Sequence, residues 1–75
     1  MRILGIDPGL AQTGYGLVDV IEGELHLVVY GVISTEAGDP IPSRLQLIYG
    51  AVQALIKEYK PDAAALEELF FGKNI

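Results

Sequence analysis

The sequence predicts an α/β fold on a mixed sheet, with elements in the order β-β-β-α-β. Three observations carry that expectation. A short apolar run, "RILGID" at residues 2–7, ends in an acid and a Pro8-Gly9 turn signal. Two longer runs rich in Val, Ile, Leu and Tyr, "GYGLVDVIE" and "LHLVVYGVIST", are separated by Gly23 and its acidic neighbours. Downstream, Leu45, Ile48, Val52, Leu55, Ile56 and Tyr59 recur at helical spacing before Pro61 and a second short run, "DAAALEEL".

Each element has its own reason. The first run is apolar throughout, which suits a central strand flanked on both sides rather than one half-exposed to water. A polar loop is expected through Thr13. The two Val-rich runs then form a hairpin of longer strands turning at Gly23. "EAGDPIP" breaks the pattern with Gly38, Pro40 and Pro42, and Pro42 suits the first helical turn, where a missing N–H costs nothing. The helix turns its apolar stripe inward and keeps Gln46, Gln53, Lys57 and Glu58 away from it. Because a helix joins the first and last strands, those two are expected to pair in parallel.

At 75 residues the chain makes at most one small domain, and 51% hydrophobic residues argue against disorder. No apolar run approaches the roughly 20 residues of a membrane span, and no secretory signal is evident. The absence of cysteine excludes disulfides and thiolate metal sites and fits a cytoplasmic location. Ten acids against five bases give a formal net charge of -5, so charge alone argues against nucleic acid for a self-sufficient unit.

The acids at the strand ends are the chemical signal. In open α/β sheets ligands gather outside the carboxyl ends of parallel strands, where Asp7 and the Glu67-Glu68 pair fall. Neighbouring strands lie about 4.8 Å apart, so two carboxylates at matching ends can share a divalent cation. An acid before Pro-Gly also serves simply to accept backbone hydrogen bonds in a turn, and both readings of Asp7 stay open here. Glu67 and Glu68 point to opposite faces of a strand, and the pattern alone does not choose between them. His26, between Leu25 and Leu27, reads as an outward-facing strand histidine. The Gly-rich start lacks a phosphate-binding lysine and a helix directly after the glycines, so it is neither a Walker loop nor a dinucleotide fingerprint. Phe70 and Phe71 suit either a core plug or, beside Lys73 and Asn74, stacking on bases.

Three stretches taken together, "ILGIDPGLAQTGYG", "IPSRLQLIYGAVQALIKEYKPD" and "AALEELFFGKN", resemble in order and interval the amino-terminal half of the RuvC family of bacterial Holliday junction resolvases. The resemblance covers nearly the whole chain. It implies a ribonuclease H-like fold, here partial, with the first strand between the second and the fourth. It further implies a magnesium-dependent endonuclease, with two ions per site, that acts as a homodimer on four-way junction DNA and cooperates with a branch-migration complex in recombination and repair. Asp7 matches the family's first catalytic and metal-binding aspartate and Glu67 its glutamate, while Glu68 falls on a variable position. Phe70 matches the aromatic that inserts at the crossover, and Lys73 and Asn74 follow in the DNA-approaching segment. The family's other acidic ligands, much of its basic surface and its main dimer helix lie beyond the equivalent of Ile75. Residues 1–75 are therefore expected to be the amino-terminal portion of one nuclease domain, truncated at the carboxyl end. By itself that portion is expected to have negligible cleavage activity and an uncovered apolar sheet face. Two other functions are open: a segment of an actin-like ATPase or sugar kinase, since those proteins also open with a Gly-Ile-Asp strand, and a non-catalytic assembly module.

Overall fold

The structure, a computed structural model, describes residues 1–66. Four strands, β1 (Arg2–Asp7), β2 (Gln12–Ile21), β3 (Glu24–Ser34) and β4 (Ala63–Leu66), surround one helix in sequence, α1 (Ile41–Tyr59). They form a single sheet in the order β3-β2-β1-β4. β1 is thus central, antiparallel to β2 and parallel to β4, as its uninterrupted apolar run predicts.

The β2–β3 hairpin turns on two residues, Glu22 and Gly23, with φ of 52° and 82°. Two positive φ values give the turn the twist that the flanking strands require, and only Gly23 adopts such a φ without steric cost. One irregularity interrupts the ladder: Leu17 pairs with Val29 but Val18 pairs with Leu27, so Val28 is an extra residue that bends β3. β2 begins two residues earlier than the sequence suggests. Gln12 and Thr13 already pair with Ser34 and Ile33, because the Thr13 hydroxyl finds its partners within the loop rather than in water.

Register divides the side chains between two faces. Leu4 pairs with Leu17 and Leu17 with Val29, and directly paired residues point to the same side. This is the face that α1 covers: Leu4 and Leu17 are fully buried, and Thr13 and Ile33 are buried beside them. From the helix, Ile48, Val52, Leu55 and Tyr59 are half-buried. Leu45 and Ile56, assigned to the same stripe by spacing, are exposed, since one flat face meets a narrower arc of helix than the apolar pattern spans. Pro42 stands in the first turn, and the helix ends on Lys60 in the left-handed conformation (φ 50°), whose N–H bonds the Ile56 carbonyl just before Pro61.

The amino-terminal end of β1 is a fastening point. Arg2 grips Asp19 with a two-pronged hydrogen bond, Nε to Oδ1 at 2.8 Å and Nη2 to Oδ2 at 3.0 Å. Its Nη1 donates to the Tyr59 carbonyl at the end of α1. The Arg2 N–H donates to the Asp62 carboxylate, and the Asp62 N–H donates to the Arg2 carbonyl, both at 2.7 Å. One residue thereby ties β2, the helix end and the entry to β4 to the central strand.

Candidate active site

Asp7 is the last residue of β1, at the end of the sheet opposite the Arg2 fastening. It pairs with Gly14 of β2 and is exposed. By alternation it shares the face that α1 does not cover with Ile3 and Gly5. That face is unusually bare around it. Gly14 is its direct neighbour, Gly5 pairs with Gly16, and Ala65 pairs with Gly5 from the other side. A shallow depression of about 500 Å³ runs over these residues and includes Asp7 in its lining. The missing side chains leave room for another group to approach the sheet beside the carboxylate.

The loop after Asp7 is held in three places. Thr13, buried, donates its hydroxyl to the Gly9 carbonyl at 2.7 Å and accepts from the Gly9 N–H at 3.3 Å. The Thr35 hydroxyl donates to the Leu10 carbonyl at 2.6 Å, and the Thr35 N–H donates to the Ala11 carbonyl at 3.0 Å. A Cβ on Gly9 would collide with the Gln12 carbonyl oxygen, so only glycine closes this turn. Gly9 was legible as a turn former. Thr13 was not, because a polar residue near Pro-Gly reads as solvated loop, and only its pairing with Ile33 brings it inside.

Glu67, Phe70, Lys73 and Asn74 lie outside the described residues. The strand that leads to them is described: β4 pairs with β1 in the register Ile3 with Ala63, Leu4 with Ala64, Gly5 with Ala65 and Ile6 with Leu66. Ala63 and Ala65 therefore share the face of Asp7, and Ala64 and Leu66 the helix face. Among the described residues no three His, Cys, Asp or Glu side chains gather closely enough to hold a metal ion. His26 is 53% exposed, 3.7 Å from Glu24, and takes no part in the Asp7 end of the sheet. Among the described residues no helix is long and apolar enough to cross a membrane.

The sheet order, the single crossing helix and the likeness to solved structures define a ribonuclease H-like fold. Thermus thermophilus RuvC in complex with a Holliday junction substrate superposes with a TM-score of 0.84 at 32% identity, over 91% of this chain and 42% of that one. Residues 3–75 match the family model described as crossover junction endodeoxyribonuclease RuvC, and the chain belongs to that family. Proteins of that description from Brevibacillus brevis and Chloroflexus aurantiacus are 53% and 51% identical over 75 residues, all of this chain. The chain spans 45% and 46% of their lengths. A Ppx/GppA phosphatase from Aquifex aeolicus shares the fold alone, with a TM-score of 0.67 at 20% identity over 88% of this chain and 25% of that one.

Proposed function

We propose that this chain is the amino-terminal part of the nuclease domain of a metal-dependent endonuclease that resolves Holliday junctions by paired nicks, with Asp7 and Glu67 among its metal ligands. The observation that carries the proposal is the parallel register. It runs pair by pair from Ile3 and Ala63 to Ile6 and Leu66, and the proposal continues it one step past the described residues, to Asp7 and position 67. That step supports Glu67 over Glu68 on grounds independent of resemblance, since a slip of one residue reverses the faces.

The donor chemistry fits a hard divalent cation such as Mg2+. Asp7 offers an exposed carboxylate on a strand pinned at both edges, and oxygen ligands suit such ions. When bound, a pair of such ions supplies water activation and charge neutralisation for in-line displacement at a phosphodiester. This chain's own contribution is placement. The central strand holds one ligand rigidly, and the glycine-lined face beside it leaves space for a phosphodiester backbone. Phe70 is assigned to the crossover bases, and Lys73 and Asn74 to the adjoining backbone. A homodimer would set two such sites on opposed strands, and a branch-migration complex would present the junction. Membership of the RuvC family favours this reading over a sugar-kinase or actin-like segment.

The test uses the full-length protein with a four-way junction. Asp7→Asn and Glu67→Gln are each expected to lower cleavage by at least about a hundredfold while junction binding persists, and Glu68→Gln to stay near the parent. Cleavage undiminished in Asp7→Asn overturns the nuclease reading. Loss in Glu68→Gln but not Glu67→Gln overturns the assignment within the pair.

A further inference from the structure

We infer that Arg44 and Thr35 are positioning residues for the loop that follows Asp7, so that the first turns of α1 are tied to the site through one hydroxyl. Arg44 donates from Nε to the Thr35 Oγ1 at 2.8 Å, and the same hydroxyl donates to the Leu10 carbonyl at 2.6 Å. With the Thr35 N–H on the Ala11 carbonyl, the residue just past the end of β3 holds two successive carbonyls of the loop.

The order of these bonds matters. A threonine hydroxyl rotates freely and has one proton to give. A guanidinium is charged at every working pH and only donates, so Arg44 occupies a lone pair on Oγ1 and leaves the proton to Leu10. Polarisation by the cation strengthens the outgoing bond. Thr13 meets the loop from below through Gly9, and Thr35 meets it from the side through Leu10 and Ala11. Residues 8–11 are therefore not a free surface turn.

The bearing on Asp7 is direct. Asp7 and Gly14 are the last pair of the β1–β2 ladder, and ladder ends open locally unless something beyond them is held. A metal-binding carboxylate must keep its place within about 0.5 Å. Holding residues 9–11 stops that last pair from fraying. The functional half of the inference rests on the nuclease reading of Asp7, and the structural half does not.

The two are read separately in the full-length protein. Amide hydrogen exchange at Thr35, whose N–H is held by the Ala11 carbonyl, and at Gly9, whose N–H is held by the Thr13 hydroxyl, is expected to quicken about tenfold or more in Arg44→Gln and Thr35→Val, with Leu4, Gly5 and mid-helix amides unchanged. In the same variants junction cleavage falls about tenfold and needs more Mg2+ for half-maximal rate, while junction affinity stays as in the parent. Thr35→Ser, which keeps the hydroxyl, restores both. Unchanged loop exchange in Arg44→Gln, or faster exchange spread evenly over the sheet, overturns the coupling. Quickened loop exchange with parental cleavage and Mg2+ dependence overturns the positioning role. Because exchange is read without substrate, full cleavage by Asp7→Asn would overturn the nuclease reading alone.

Discussion

A methyl group at position 9 has nowhere to go. The Gln12 carbonyl oxygen occupies its space, whereas a Cβ at Gly14 would meet only the Asp7 Cβ at 3.8 Å, an ordinary contact. Gly9→Ala is thus expected to cost about 1–3 kcal/mol by forcing the turn open, and Gly14→Ala much less. Thermal melts of the pair check this, and equal melting temperatures would refute it. Asp19 yields a second expectation at this scale. The hydrogen bonds from Arg2 hold its carboxyl below the usual range, with the Arg2 charge adding to them. A carboxyl depressed in the folded state stabilises the fold above its unfolded pKa, and that stabilisation fades as pH falls through the folded value. Acid should therefore weaken the parent below about pH 4 more than it weakens Asp19→Asn, which is less stable at neutral pH. Parallel pH profiles for the two would contradict it. Single residues were also where sequence reading was weakest. Asp7 could be placed at a strand end because apolar runs and Pro-Gly turns are local signals. Thr13 is buried by pairing with Ile33 and Thr35 reaches Leu10 and Ala11, contacts twenty or more residues apart that no spacing rule reports, and Arg44 acts through Thr35.

The elements were easier to read than their edges. The central strand, the hairpin and the helix all follow from apolar period and turn chemistry, which act within a few residues. Where the helix stripe ends did not follow: Leu45 and Ile56 are as apolar as Ile48 and Leu55, and only the flatness of the sheet decides which are covered. The face of each residue of β4 was likewise hidden, because "AAAL" carries no alternation and register comes from pairing with β1. The hairpin offers a prediction of its own. Glu22 has φ of 52°, a conformation that costs most side chains about 1 kcal/mol and asparagine less. Glu22→Asn, which makes the turn Asn-Gly, should raise stability by about 0.5–1 kcal/mol, seen as a melting temperature several degrees higher. An unchanged or lower value would show that the turn does not limit the hairpin.

Taken whole, the described residues form a slab with extents of 45 × 36 × 15 Å, one helix deep on one side of the sheet and open on the other. Leu25, Leu27, Tyr30 and Val32 on the open side are each more than half exposed, and among the described residues only Leu4, Leu17 and Ile33 make up the buried apolar core. So small a core leaves little reserve. Leu4→Ala, at about 2–5 kcal/mol, is expected to unfold residues 1–75 when they are prepared alone. The parent 75-residue chain is expected to self-associate through its open face, as large apolar patches do. A monodisperse, cooperatively melting monomer in sedimentation and thermal scans would be the contrary result. The Arg2–Asp62 clasp has a consequence at this scale that is a matter of counting. It sets a common zero for two parallel strands, and four residues onward from each lie Ile6 on one and Leu66 on the other, directly paired. The triple alanine between is interchangeable in shape, so it works as a ruler whose only information is its length. Deleting one alanine would leave Leu66 a step short of its place beside Ile6, and every residue after it one step out of phase with the central strand.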